Sequence, residues 1–198
     1  MVFYNKVKWV LGILMVFILI IATNLIDKNN FSRVKDSVVA IYNDRLIAKD
    51  LIFKMSNSIQ EKELAVVASD SVFFSGRNKE VSQDIQDFIE MFEQTKLTLQ
   101  EKKIFSAYKT NLEILKNTES DFIQSKFVDK TPLINHISAV KLNLNDLSKI
   151  QIVEGKRQMS LSEKAIDSIE LFTKIEIYIL IFLAILIQII VIYKPKEN

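Results

Sequence analysis

Apolar residues along this chain fall into two unlike patterns. Residues 9–26 (WVLGILMVFILIIATNLI) and 177–193 (IYILIFLAILIQIIVIY) are almost continuously apolar. Each matches the roughly 17–25 residues that carry a helix across a bilayer's hydrocarbon core, which predicts transmembrane helices over 9–26 and 175–193. A cleaved signal peptide is the competing reading of the first stretch. Its apolar run exceeds the roughly 7–15 residues of such leaders, and IIATNLI offers no A-x-A-like cleavage site, so an uncleaved anchor is predicted.

Between the two stretches the pattern becomes helical. Val34, Val38, Ile41, Arg45, Ala48, Ile52, Met55, Ile59, Lys62 and Val66 alternate steps of four and three, the seam of a bundled helix. Leu133, Ile137, Val140, Leu144, Leu147, Gln151, Glu154, Gln158, Leu161, Ala165, Ser168 and Phe172 repeat that spacing. With only 3 glycines and 2 prolines in the chain, few breaks are available, which favours long helices. Gly76 in SGRN can end a helix in the left-handed conformation. In DKTP, Thr131 is placed to cap a helix with Pro132 in its first turn. TLQE, 98–101, has capping-box spacing. Four segments result, roughly 28–74, 79–97, 99–128 and 131–174. Short connections imply antiparallel neighbours, so the expected fold is all-α: an up-down-up-down four-helix bundle flanked by two transmembrane helices.

Charge orients this arrangement. Lys6 and Lys8 precede the first span, Lys194 and Lys196 follow the second, and Tyr4, Trp9 and Tyr193 are placed as interfacial anchors. By the positive-inside rule, residues 1–8 and 194–198 are cytoplasmic and 27–174 lie outside the cytoplasmic membrane. Setting those four lysines, Glu176 and Glu197 aside from 26 basic and 24 acidic residues leaves the segment between the spans neutral. That segment carries no basic stripe to follow a phosphate backbone, which excludes nucleic acid as the expected partner. Absence of cysteine excludes disulfides and thiolate chemistry.

Candidate chemistry is sparse. His136 stands without a second histidine at ligand spacing, and pairs such as Glu61 and Glu63 or Asp84 and Asp87 alternate with lysines as solvated helix faces. No phosphate loop, nucleophile elbow or H-E-x-x-H pattern occurs, so the expectation is a non-enzyme with no catalytic residues, metal or cofactor. The polar residues that interrupt the seams say more. Arg45 and Lys62 break the first; Gln151, Glu154 and Gln158 break the second. Charged seam residues are costly unless paired or wet. Arg45 lies about 18 residues after Asp27 and Glu154 about 20 before Lys174, so the two are expected at similar heights; an ion pair of Arg45 with Glu154, or of the Arg45–Asp44 type, is favoured, with Glu154 the leading partner. The alternative is a ligand-carboxylate clamp built from Arg45, Gln151, Glu154 and Gln158. Gln188 is placed to hydrogen-bond to the neighbouring span or across to a dimer partner.

IYNDRL at 41–46, LTLQEKKIF at 97–105, LSKIQIVEGKRQMS at 147–160 and the second span together resemble the four-helix-bundle extracytoplasmic sensor domain of bacterial methyl-accepting chemotaxis proteins. The resemblance implies a dimerising bundle that senses small molecules or partner proteins and passes small helix movements through the membrane. Members of that family continue into a HAMP linker and a signalling hairpin, whereas this sequence reaches Asn198 without one. The expectation is therefore a sensory accessory in contact with the lipid bilayer, acting as a homodimer or by lateral contact with a membrane signalling protein, with a small molecule as ligand. A membrane-tethered structural or assembly factor is the rival.

Overall fold

The computed structural model describes residues 2–192 and, within them, the side chains of 12, 14–183, 185 and 186. Every regular element among the described residues is helical, so the fold is all-α. Helix α1 covers Val2–Ala40 and passes into a π-helical segment, Ile41–Leu46, that leads into α2, Ile47–Ala68. A short α3, Ser71–Ser75, precedes α4, Arg77–Glu93; then come α5, Leu99–Gln124, and α6, Thr131–Ile192. The chain divides into two compact units. One draws on Met1–Val38 and Met159–Asn198, the other on Val39–Gln158.

The central unit, Val39–Gln158, holds a core supplied by α2 to α6, including Leu51, Met55, Ile59, Ile85, Phe92, Tyr108, Leu115, Leu133, Ile137 and Leu147. Cross-helix contacts fix which heights meet. Glu61 and Lys62 on α2 reach Arg77 and Asn78 at the start of α4, while Lys54 lies over the Phe88 ring further along it. Glu93 reaches Lys109, and Asn78 reaches Glu119. Asn111 meets Asn143, and Gln151 meets Glu101. Glu63 takes Lys141, and the Val67 carbonyl accepts from Lys130.

Two helix ends depart from expectation. The first long segment stops at Ser69, before Gly76, with Ser69 left-handed at φ 52°. The Asp70 amide returns to the Ala65 carbonyl at 2.9 Å and the Ser69 amide to Val66 at 3.1 Å, the two bonds of a Schellman closure. Asp70 then caps α3, its carboxylate accepting from the Val72 and Phe73 amides. Gly76 has φ −141° and so does not supply the left-handed turn. The end of α5 repeats the device: Phe127 bonds back to Phe122 at 3.0 Å and Lys126 to Ile123 at 3.1 Å. The Phe122 and Phe127 rings meet edge to face at 5.1 Å, the apolar contact that accompanies such an end. A left-handed residue bearing a Cβ is strained by about 1–2 kcal/mol. Ser69→Gly is expected to raise the unfolding free energy by about 0.5–1 kcal/mol after the glycine's extra unfolded-state entropy is subtracted. Denaturant titration checks this.

The two expected caps resolve differently. Thr98 forms the full capping box with Glu101. Thr131 is the first residue of α6 rather than its cap, and its amide donates to the Asp129 carboxylate at 3.0 Å.

The other unit contains helical residues of α1 and α6. Near the N-terminus, among the described residues, a helical stretch within 14–68 is long and apolar enough to cross a membrane, and only 11% of its most apolar window is buried. In α6 the apolar side chains Tyr178, Ile181, Phe182 and Ile185 are likewise exposed. The expected interfacial side chains Tyr4, Lys6, Lys8 and Trp9, together with Gln188 and residues 193–198, lie outside the described residues. On α6 the expected Ala165 is buried and Ser168 and Phe172 partly so, but other positions of this unit depart from the expected seam. Thr23, Asn30 and Ser37 are buried on α1 while Val38 is 56% exposed; on α6 Ser162 is buried while Leu161 is 44% exposed.

A candidate functional site of buried charges

The stretch IYNDRL forms a π-helical segment of 6 residues, closed where the Ile47 amide bonds to the Tyr42 carbonyl five positions back. Its placement follows from the seam. Buried positions step by seven through Thr23, Asn30 and Ser37, and again by seven through Arg45, Ile52, Ile59 and Val66. The first series extrapolates to Asp44 and the second begins at Arg45, one residue on. A π-turn absorbs one such extra residue, and here it puts Arg45 into the core.

Burial of that guanidinium demands partners, because an unpaired charge in low dielectric is prohibitively costly. Arg45 Nη1 donates to Glu101 Oε1 at 2.6 Å and to Gln151 Oε1 at 3.1 Å, and Nη2 donates to the Lys96 carbonyl at 2.8 Å. Gln151 Nε2 donates to the same Glu101 oxygen at 2.5 Å, closing a triangle. The other oxygen of Glu101 accepts from the Thr98 amide at 2.6 Å, so one carboxylate both caps α5 and neutralises Arg45. Asp44 holds the same loop, its carboxylate accepting from the Lys96 amide at 3.3 Å. Glu101 is fully buried.

A second buried cation lies farther along α2. Lys62 Nζ donates to both Glu119 oxygens at 2.8 and 3.0 Å, to Asn78 Oδ1 at 2.5 Å and to Ser82 Oγ at 3.0 Å. The unit thus carries two enclosed ion pairs, one joining the π-helical segment to α5 with Gln151 of α6, the other joining α2 to α5 with Asn78 and Ser82 of α4. Neither has the paired general acid and base of a hydrolytic site.

The expected pairing of Arg45 with Glu154 does not form. Glu101 takes Arg45, and Glu154, partly buried, accepts from Arg157 at 2.8 Å one helical turn away. Of the four candidate ligand residues, Arg45 and Gln151 come together, while Glu154 and Gln158 stand outside the triangle.

No family model, curated protein or solved structure matches this chain. Chemistry in the helices therefore carries the functional reading.

The residues absent from the sequence expectation are Glu101 as a counterion, the Lys96 carbonyl, Glu119, Asn78 and Tyr108. A signal for most of them exists. Glu101, Phe105, Tyr108, Leu112, Leu115, Glu119 and Phe122 step four and three along α5, placing two carboxylates on a seam otherwise apolar.

Tyr108 sits between these ion pairs, fully buried and stacked on Phe105 at 5.9 Å, and its hydroxyl has no partner among the described residues. Desolvation pushes its pKa well above the ordinary tyrosine value. The unfolded chain therefore loses this proton first as pH rises. Its contribution to stability is complete below about pH 10 and falls by about 1.4 kcal/mol per pH unit from there toward the folded-state value. Tyr108→Phe is expected to melt at or above the parent temperature at neutral pH and to lose less stability than the parent between about pH 10 and 11. Paired melts across that range check it.

Proposed function

We propose that this chain is a membrane-anchored, sensor-type protein in which an antiparallel four-helix bundle, over 27–174, stands outside the cytoplasmic membrane between two spans. Support for the bundle comes from the contact pairs: Lys62 with Asn78 and Lys54 with Phe88, Asn111 with Asn143 and Glu101 with Gln151, run in opposite senses along each pair of helices. The exposed apolar residues of α1 and α6 support the two spans.

The observation that carries the sensory reading is the π-turn with its buried Arg45. This one-residue register device is secured by a charge triangle from three chain segments, and passing the extra residue along the helix would give it a second arrangement. Such an element is what a ligand or partner needs in order to bias an equilibrium. A ligand carboxylate competing for Arg45 and Gln151 would do so by displacing Glu101. A cavity of about 550 Å³ beside Lys49, Phe53, Ser56, Lys141 and Asn145 offers a second place for a small molecule within the same unit. Homodimers or lateral contact with a membrane signalling protein would carry the response.

The test is a thermal-shift screen of the full chain in detergent against carboxylates, amino acids and other small metabolites. A ligand at a hundred times its Kd stabilises by about 2.7 kcal/mol, an easily read shift. The shift should be lost in Gln151→Leu. A screen without any shift, alongside a stable membrane partner recovered by crosslinking, would favour a tethered assembly factor. Alkaline phosphatase fused near residue 120 should be active and a fusion at the C-terminus silent; the opposite pattern would overturn the topology.

A further inference from the structure

Within the unit built from α1 and α6 the buried face is polar. Thr23, Asn30 and Ser37 on α1 and Ser162 on α6 are all more than nine-tenths buried. Thr23 satisfies itself on the Ile20 carbonyl, but the Ser162 hydroxyl and one Asp27 carboxylate oxygen are buried without a partner. Beside them a cavity of about 350 Å³ is lined by Asn30, Arg33, Asp36, Ser37, Lys164 and Ser168, with Leu161 and Ala165 as its apolar members. That volume lies in the range of small-ligand sites.

The donors in this cavity are idle. Asn30 is 7% exposed and Ser37 8%, and neither side chain has a hydrogen-bond partner among the described residues. A helical serine ordinarily returns its hydroxyl to a carbonyl one turn back, as Ser168 does to Lys164 at 2.9 Å. Ser37 does not. Arg33 and Lys164 flank these donors without an ion pair to any described carboxylate, although Asp36 lies one turn from Arg33. Two cations, an amide and two hydroxyls line one space, with a single carboxylate among them. Such a set matches one anionic group of tetrahedral oxygens, accompanied by a positive or hydroxylated substituent near Asp36.

We propose that this cavity is a phosphate-binding site, with Arg33, Lys164, Asn30 and Ser37 as donors. The group could arrive on a phospholipid headgroup or as a soluble phosphate. A headgroup would enter from the Asn30 end, an assignment that rests on the membrane reading above, and a soluble phosphate from the Ser37 and Lys164 end. Asn30 is four residues past Ile26, the end of the apolar run, or about 6 Å along the helix and level with the headgroup layer, while Arg33 and Ser37 are about 10 and 16 Å along and reach beyond it. Ser162 and Asp27 extend the polar seam on either side.

The experiment uses the full chain purified in detergent, the Arg33→Gln/Lys164→Gln double variant, and the Arg33→Lys/Lys164→Arg variant that keeps both charges. Helix content and melting in phosphate-free, lipid-free buffer establish that each is folded. Native mass spectrometry after exposure to vesicles of phosphatidylethanolamine and phosphatidylglycerol counts retained lipid, and a titration with inorganic phosphate follows the melting temperature. Retained lipid weakened about tenfold in the glutamine variant, and kept in the charge-preserving one, supports the headgroup source. A phosphate-dependent rise in melting temperature that the glutamine variant loses, without a lipid difference, supports the soluble source and leaves the site standing even if the chain's membrane topology is revised. Equal lipid retention by parent and glutamine variant, with no phosphate effect on either, overturns the proposal.

Discussion

Replacing Glu101 with alanine is expected to lower the stability of the central unit by about 3–5 kcal/mol, the cost of leaving a buried cation without its counterion. Arg45 would retain the Gln151 and Lys96 oxygens, both neutral. Glu101→Ala also removes the acceptor of the Thr98 amide, so the first turn of α5 should fray as well. Glu101→Gln keeps the side chain's length and loses only the charge, and should fall between parent and alanine variant. Arg45→Ala is expected to lose a similar amount, because Glu101 is then buried and anionic. The discriminating construction is the double variant Arg45→Met/Glu101→Leu, which removes both charges and should be more stable than either alanine variant. Chemical denaturation of the full chain in detergent, followed by circular dichroism, reads all of these. A loss under about 1 kcal/mol for Glu101→Ala would mean that water reaches the pair and that it behaves as a surface bridge.

Lys62→Met is expected to be the other large loss, again about 3–5 kcal/mol. Lys62 and Glu119 are 3% and 4% exposed, and only the Asn78 amide, at 3.5 Å, would remain near the Glu119 carboxylate. Lys62→Met/Glu119→Leu should recover most of the loss, since methionine and leucine fill the space that the pair occupies in an apolar core. The two cycles should also be additive. Arg45 and Lys62 are 17 residues apart on a helical path, about 25 Å, and share no partner, so energies measured at one pair should not change when the other is replaced. Non-additivity would instead show that the pairs are coupled through the core, with Tyr108 between them.

Particular residues show how far the sequence could be read. The seam from Arg45 to Val66 was legible because a four-and-three spacing holds wherever a helix packs on one face, and Arg45, Ala48, Ile52, Met55, Ile59, Lys62 and Val66 are all buried. Before residue 41 the same extrapolation fails: Val38 is exposed and Ser37 buried, because a π-turn adds a residue that no propensity announces. The capping box at Thr98 could be read because it is local, its partners three residues apart. Ser69 could not be read as a helix end, since a left-handed serine is intrinsically disfavoured and persists only where the surrounding contacts hold it.

The sequence by itself determined the all-α class, the apolar stretch near the N-terminus, and the fact that charges would have to be accommodated at Arg45 and Lys62. These follow from periodicity, hydropathy and side-chain type, which act over a few turns of one helix. Only the tertiary structure decided which carboxylates answer those charges. Glu154 and Glu101 are equally acidic on paper, but Glu154 finds Arg157 along its own helix while Glu101 is carried into contact with Arg45 by the packing of α5. Pairing across helices depends on the height and rotation of each helix, quantities fixed jointly by every core contact rather than by any short run of residues.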